Sequence, residues 1–179
     1  MPHKLVIEKI NKIKKAVPLI ESKIKIKIRV EGGFVFIEGS EYNEYIVEKI
    51  LKAVDFGFDA EDALTLLDED FEIEFINIKE HTPRKNLSDV RARIIGTGGK
   101  AKRTIEELTA GIVVLNGNTV GIIVDSEHLS QAVQGIISLI QGSKHGNVFS
   151  YLEKQNAELR KLSEEDLGLK DTVKKFEKS

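Results

Sequence analysis

A cluster of three glycines followed by basic residues is the part of this sequence best suited to bind a ligand. Within eight positions the chain places Gly96, Gly98, Gly99, Lys100, Lys102 and Arg103. Each glycine inside a helix or strand costs roughly 0.5–1 kcal/mol, so such a cluster indicates a loop with positive φ or with close approach of a ligand. Backbone amides beside lysines suit phosphate. A bare GxxG is also compatible with a tight helix–helix turn that binds nothing.

Two common phosphate-binding motifs do not fit this loop. A Walker A loop needs glycine at position 94 and Ser or Thr at 101, whereas this chain has Ile94 and Ala101, which excludes a P-loop. The loop does match G-x-G-x-x-A formally. A dinucleotide-binding turn, however, follows a buried apolar strand and precedes an acidic residue by about twenty positions. Here arginines precede the loop and an Asn-Gly-Asn turn stands at the later position, so the dinucleotide interpretation is poor.

The third interpretation is the GXXG loop of a KH domain, which clamps the backbone of about four single-stranded nucleotides. Two β-branched residues precede the loop, and the pair Thr97-Gly98 inside it carries no acidic group that would repel phosphate. The basic residues after the loop open a helix, whose N-terminal dipole end also favours phosphate. The residues predicted to bind RNA are Arg91, Arg93, Ile94, Ile95, Gly96, Thr97, Gly98, Gly99, Lys100, Lys102, Arg103 and Ile105.

The elements around the loop follow the order of a type I KH domain. The patterns predict a strand at 71–78, helices at about 87–95 and 100–109, strands at 112–115 and 120–124, and a helix opening at Ser126. A further helix is predicted from Val148 to about Leu162. Loop, topology and charge therefore agree on single-stranded RNA as the ligand.

An internal repeat at a spacing of 86 residues predicts a related unit before this one. Residues 24–30 alternate as a strand, 34–37 return after a Glu-Gly-Gly turn, and Ser40 is the predicted N-cap of a helix. The same offset places Ile10-Asn11-Lys12-Ile13 where the GXXG loop stands, without a glycine. The predicted fold class is α+β, with two tandem type I KH domains, each a three-stranded sheet packed against helices, the first one degenerate.

The predicted domain organisation has four parts. They are a degenerate KH-like domain at 1–57, a linking helix at 58–70, the KH domain with GXXG loop and C-terminal helix at 71–162, and a charged tail at 163–179.

Charge is segregated along the chain although the net charge is only −2. Residues 1–30 contain nine Lys/Arg and two Glu, 41–80 contain thirteen Asp/Glu and three Lys, and 84–103 contain seven Lys/Arg and one Asp. Two basic segments divided by an acidic one favour an anionic partner. A second basic patch is predicted at Lys12, Lys14, Lys15, Lys25 and Lys27, although a scaffold role is preferred for the first unit. The acidic stretch 59–74 is expected to face solvent or a protein.

No catalytic constellation is evident in the sequence. There is no cysteine, and the four histidines are scattered without a carboxylate at metal-ligand spacing, so neither a metal nor a cofactor is expected. No apolar run reaches the length of a membrane span, and the N-terminal residues lack a signal h-region, which favours a cytoplasmic protein. Two alternatives stay open. One is a general single-stranded nucleic-acid binder, and the other is a metal-dependent RNA-processing enzyme that uses the acidic stretch 59–74.

Three segments resemble one known family. They are 91–96, 104–109 and 142–153, and the linking segment 57–64 is similar as well. On these residues the chain resembles the archaeal counterpart of the eukaryotic ribosome-assembly KH proteins called Dim-two or Partner-of-Nob. The resemblance implies binding near the 3′ end of small-subunit (16S) precursor rRNA as a non-catalytic assembly factor. It also implies two protein partners, the endonuclease that trims that end and the α subunit of initiation factor two. The missing first-unit GXXG loop departs from the usual archaeal pattern.

Overall fold

The first unit begins with a short strand and a helix that the sequence analysis did not predict. The computed structural model describes residues 3–166. The elements of the first unit are β1 (His3–Val6), α1 (Ile10–Lys23), β2 (Lys27–Glu31), β3 (Phe34–Glu38) and α2 (Glu41–Phe56). The strands form an antiparallel sheet in the order β1-β3-β2. As predicted, Ser40 caps α2, since its Oγ accepts a hydrogen bond from the Asn43 N–H at 3.3 Å.

The strand that follows helix α1 begins later than predicted. The alternating run 24–30 predicts a strand throughout, but α1 extends to Lys23 and β2 begins only at Lys27. Pro18 lies inside α1 and removes one backbone hydrogen bond. Burial of one apolar side holds the helix together across that position. The buried residues of α1 are Ile13, Ala16 and Ile20.

The second unit has the predicted type I KH order. A linking segment of α3 (Ala60–Ala63) and a 3₁₀ turn (Leu64–Leu67) precedes it. The unit consists of β4 (Phe71–Asn77), α4 (Ile78–His81), α5 (Leu87–Ile95), a 3₁₀ turn (Thr97–Gly99), α6 (Lys100–Thr109), β5 (Ile112–Asn116), β6 (Thr119–Asp125), α7 (Ser126–Gln141) and α8 (His145–Asp166). Its antiparallel sheet has the order β4-β6-β5, which matches the first sheet.

Several predicted boundaries differ in the second unit. The strand predicted at 71–78 ends at Asn77, because Ile78 opens the short helix α4. Asp125, and not Ser126, caps α7, because its Oδ1 accepts from the His128 N–H at 3.0 Å. Helix α8 begins before Val148 and continues to Asp166, so the first four residues of the predicted tail are helical. The rest of that tail, 167–179, lies outside the described residues. The division of the chain at 57/58 and 70/71 stays a prediction.

The structural repeat has an offset of 85 residues, so the predicted offset of 86 is wrong by one. Equivalent positions are Ala16 and Ala101, Ile20 and Ile105, Gly32 and Gly117, Ser40 and Asp125, and Gly57 and Gly142. The error arises in α7, where two buried positions are the weakly apolar Ala132 and Gly135. A sequence alignment therefore matches the larger apolar residues that follow them by one position, and the offset increases by one. With the corrected offset, α1 is the counterpart of α6, and the first unit has no counterpart of α5 or of the loop.

Each unit has its own core, but the second sheet is covered on both faces. Residues of β5 and β6 alternate between the two cores: Ile122 belongs to the core of the second unit, while Ile123 belongs to that of the first. Gly121 makes this packing possible, since a Cβ there would lie 2.7 Å from Phe56 and 2.9 Å from Phe58. The Asn116 side-chain amide also donates to the Phe56 carbonyl at 2.7 Å. The end of α2 therefore packs against the second sheet.

Candidate nucleic-acid interface

The GXXG loop is a backbone structure that only glycine can form without strain. Gly96 has φ +74° and ψ 172°, and a Cβ on it would lie 2.6 Å from the Ala101 Cβ. Gly98 and Gly99 have φ +60° and +77°, and a Cβ on either would meet nothing within 4 Å. Packing and backbone conformation both require glycine at position 96, whereas conformation alone requires it at positions 98 and 99, where the outer side of the loop is open.

The loop leads directly into the start of α6, where the Gly99 N–H donates to the Gly96 carbonyl at 3.1 Å and the Lys100 N–H donates to the Thr97 carbonyl. The N-cap Gly99 has no side chain to accept from the first backbone N–H groups of the helix. Lys100 is exposed and forms no ion pair with any residue between 3 and 166. An anion at this helix end would meet amides, the positive end of the helix dipole and a lysine together.

The other two predicted basic residues of α6 are partly occupied. Arg103 Nη2 donates to the Gly98 carbonyl at 3.0 Å, so the guanidinium supports the loop from an exposed position. Lys102 Nζ lies 2.8 Å from Glu106 Oε1, which offsets part of its charge. Arg103 therefore adds positive charge at the loop, and Lys102 adds less than its formal charge suggests.

The two predicted arginines of α5 point in different directions. Arg91 Nη1 donates to Asn118 Oδ1 at 2.6 Å and so joins α5 to the β5–β6 turn. Arg93 instead donates to the backbone carbonyls of Leu139 and Ser143, at the end of α7. Arg91 therefore stabilises the contact between α5 and the β5–β6 turn, while Arg93 stabilises the contact between α5 and the end of α7.

The three predicted isoleucines also separate. Ile94 and Ile105 are fully buried in the core of the second unit, and they hold α5 and α6 against the sheet. Ile95 keeps 38% of its surface exposed immediately before the loop. Of the three, only Ile95 presents an apolar surface to which a nucleotide could pack.

Glu106 is a residue of this site that sequence reasoning missed. The backbone N–H of Val113, on the edge strand β5, donates to Glu106 Oε1 at 2.8 Å. The first unit repeats this contact, because the Ile28 N–H of β2 donates to Glu21 Oε1 at 2.8 Å. The signal was a glutamate seven residues before an edge-strand residue in both copies. Each glutamate covers an edge amide that would otherwise be free to pair with another chain.

One member of the predicted second basic patch, Lys12, is engaged in contacts with the linking segment. Lys12 Nζ donates to the Gly57 carbonyl at 2.8 Å and lies 3.4 Å from Asp59 Oδ1, so it joins α1 to the linking segment. The other four lysines are exposed on α1 and around the start of β2. They are Lys14, Lys15, Lys25 and Lys27. Because α1 is a continuous helix, the first unit has no loop of free amides beside these lysines.

The acidic stretch 59–74 does not assemble a metal site. Nowhere between residues 3 and 166 do three or more His, Asp or Glu side chains come together as potential metal ligands. Asp62 lies near Asp59 and Glu106, and burial followed by these like charges raises the pKa of its carboxyl above the usual range. Glu72 pairs with Lys49 at 3.4 Å. The stretch is therefore a partly paired acidic surface on the linking segment and β4.

The helices of the described residues lack what a membrane span requires. None of those in the described part of the chain combines the length and the apolar character that spanning a bilayer requires. The cytoplasmic location expected from the sequence stays a prediction.

Comparison with known proteins connects this geometry to one family. The sequence model of the second KH domain of PNO1, a eukaryotic-type KH domain of type I, matches residues 72–157. A KH domain-containing protein of Methanocaldococcus jannaschii is 28% identical over 79% of this chain and 66% of its own length. The pre-rRNA-processing protein pno1 of Aspergillus fumigatus is 33% identical over 86% of this chain and 65% of its own length. The chain thus spans about two thirds of the length of these curated relatives.

A solved structure resembles almost the whole chain. The Dim2p chain of Pyrococcus horikoshii, in a complex with a/eIF2α and rRNA, superposes with a TM-score of 0.77 at 30% identity. The match covers 88% of the present chain and 95% of Dim2p. Both units, and not the second one alone, therefore follow the architecture of that protein.

Proposed function

Because this chain belongs to the family of KH-domain proteins that includes PNO1 and archaeal Dim2p, we propose that it binds single-stranded RNA through its second unit. The proposed RNA is the 3′ region of small-subunit (16S) precursor rRNA, and the proposed role is that of an assembly factor without catalytic activity. Its matched relatives are KH-domain factors of pre-rRNA processing, which supports this role.

One observation carries the proposal. The chain builds a loop with three positive-φ glycines at the open start of a helix and places Lys100 and Arg103 beside it. Bringing backbone amides to a phosphate requires a loop without projecting side chains, and the outer side of Gly98 and Gly99 is open. The first unit, with a continuous helix at the equivalent position, is assigned a scaffold role.

The proposed protein partners follow the same reasoning. The similar Dim2p of P. horikoshii forms a complex with a/eIF2α and rRNA, so we propose the corresponding initiation-factor subunit as a partner of this chain. The endonuclease that trims the rRNA 3′ end is proposed as a second partner, on the family resemblance alone. The precursor of the small ribosomal subunit is the particle in which these contacts would occur.

Recovery of bound RNA from cells is the experiment that tests this function. Purification of the tagged full-length protein after crosslinking should enrich the 3′ region of small-subunit precursor rRNA over other transcripts. Equal recovery of unrelated single-stranded RNA would favour a general nucleic-acid binder. A nuclease assay with Mg²⁺ or Mn²⁺ is the companion measurement, and turnover of RNA there would contradict the non-catalytic role.

The salt dependence of binding should report the phosphate contacts. We expect affinity for single-stranded RNA to fall as salt rises, with a log–log slope of roughly −0.7 per phosphate contact. One loop and one helix end can contact only a few phosphates, so the total slope should be a small multiple of this value. Titrations at a series of KCl concentrations give this slope directly. An affinity independent of salt would contradict a phosphate clamp.

The acidic stretch 59–74 should stay away from RNA. Residues 41–80 carry thirteen acidic and three basic side chains, and such a surface repels phosphate. Photo-crosslinking in a precursor particle should therefore place RNA contacts on the loop and the start of α6. Crosslinks of RNA to Asp59, Glu61 or Glu74 would show that this assignment of surfaces is wrong.

A further inference from the structure

A groove adjoins the GXXG loop on the side of α8. It encloses about 300 Å³ between the loop and the first two turns of α8. Its lining residues are Gly96, Thr97, Lys100, Ala101, His145 and Phe149. The groove therefore shares three of the residues assigned to phosphate and adds two aromatic rings of α8 that lie outside the GXXG motif.

The aromatic wall of this groove is held in place by hydrogen bonds. His145 Nε2 donates to the carbonyl of Arg93 at 2.8 Å, since a carbonyl can only accept. The Arg93 side chain in turn donates to the Ser143 carbonyl, just before α8 begins. The His145 and Phe149 rings lie 6.0 Å apart with an interplanar angle of 53°. This network gives Arg93 a role behind the loop, since it fixes the position of the two rings relative to Gly96.

We propose that this groove receives a nucleobase of the same RNA strand whose backbone lies on the GXXG loop. The inference rests on the proposed function and adds a base-stacking site to it. Three observations support it. The groove is continuous with the loop, its wall offers half-buried aromatic faces, and the basic residues beside it, Lys100 and Lys144, are exposed. A base has a flat π-face and carries its phosphate with it, so this combination suits a nucleotide better than an acidic or a purely apolar ligand.

The stacking site would extend the bound strand beyond the nucleotides that a GXXG loop clamps. Thr97 and Phe149 line the same groove, so a strand that leaves the loop over Thr97 reaches Phe149. Stacking is tolerant of base identity, because every base has a π-face. The site should therefore add affinity and register and contribute little sequence preference.

Photo-crosslinking of the unaltered full-length protein is the first test. Single-stranded RNAs carrying one 4-thiouridine at successive positions are irradiated with the protein, and crosslinked peptides are mapped by mass spectrometry. One position should crosslink to the α8 peptide that contains His145 and Phe149, and a neighbouring position to the loop peptide. Crosslinks to the loop without any to α8 would overturn the stacking site and leave the proposed function intact. No binding of RNA at all would overturn both.

Variants of Phe149 give the quantitative test. Phe149→Leu keeps apolar volume but removes the ring, and it should weaken RNA binding roughly fivefold to thirtyfold, while Phe149→Tyr should bind like the parent. The RNA carries an abasic nucleotide at the crosslinking position in a second series. The abasic RNA should bind Phe149→Leu and the parent equally. Without the base, the Phe149 ring of the parent has nothing to stack on, so its removal costs no affinity. Equal affinity of Phe149→Leu and the parent for intact RNA, with unchanged thermal stability, would overturn the proposal.

Discussion

Replacing Thr97 and Gly98 together by Asp should lower the affinity for single-stranded RNA by well over tenfold while the protein stays folded. The substitutions place two carboxylates on the side of the loop that the RNA backbone must approach, and like-charge repulsion then opposes every phosphate contact there. Thr97 is exposed, and a Cβ at Gly98 meets nothing within 4 Å, so only the positive φ of +60° is strained. The free energy of unfolding should change by about 1 kcal/mol. Fluorescence anisotropy and urea unfolding measure the two effects separately.

The matched control is Lys14→Asp in the first unit. It changes the net charge by the same two units as the loop variant, and the 85-residue offset places Lys14 opposite Gly99. Lys14 is exposed, whereas Lys12 holds the linking segment through Gly57 and Asp59 and is unsuitable as a control. We expect Lys14→Asp to weaken RNA binding far less than the loop variant. If it proved the more damaging of the two, the first unit would be the main RNA-binding surface.

The loop could be predicted from the sequence because glycine is the residue type whose backbone preferences are most distinctive. Three glycines in four positions indicated either positive φ or close approach of a ligand, and all three glycines have positive φ. The roles of Arg91 and Arg93 could not be predicted in the same way. Residues two apart on a helix do not face each other, so at most one of the pair could face the RNA side of the loop. Which one does so depends on α7, whose end supplies the carbonyls that bind Arg93.

The packing of the two units against each other could not be predicted from the repeat either. A repeat indicates that two units share a fold, but it carries no information on which faces of them meet. The signal was present at Gly121, a glycine inside an otherwise β-branched strand, where a close approach is expected. The partner rings, Phe56 and Phe58, lie more than sixty residues earlier in the chain and can be identified only from the three-dimensional structure. The same holds for α1, whose continuous helix replaces the first-unit loop.

Gly96→Ala should be the most destabilising single change in the loop. Its backbone lies at φ +74° and ψ 172°, a region that is accessible essentially to glycine alone, and the added Cβ would lie 2.6 Å from the Ala101 Cβ and 2.7 Å from its backbone nitrogen. Backbone strain and overpacking together should cost about 3 kcal/mol or more. Because Ala101 opens α6, the strain should also displace the start of that helix and reduce RNA binding.

Gly98→Ala is the matched control for Gly96→Ala. Gly98 has φ +60° and ψ 23°, in the ordinary left-handed region, and nothing lies within 4 Å of its added Cβ. It should therefore cost only about 1 kcal/mol, which is the conformational part of the penalty alone. Urea unfolding of both variants measures the difference, which reflects the glycine-only backbone region of Gly96 together with its contact with Ala101. Equal destabilisation by the two substitutions would mean that neither of these features adds to the penalty of an ordinary left-handed glycine.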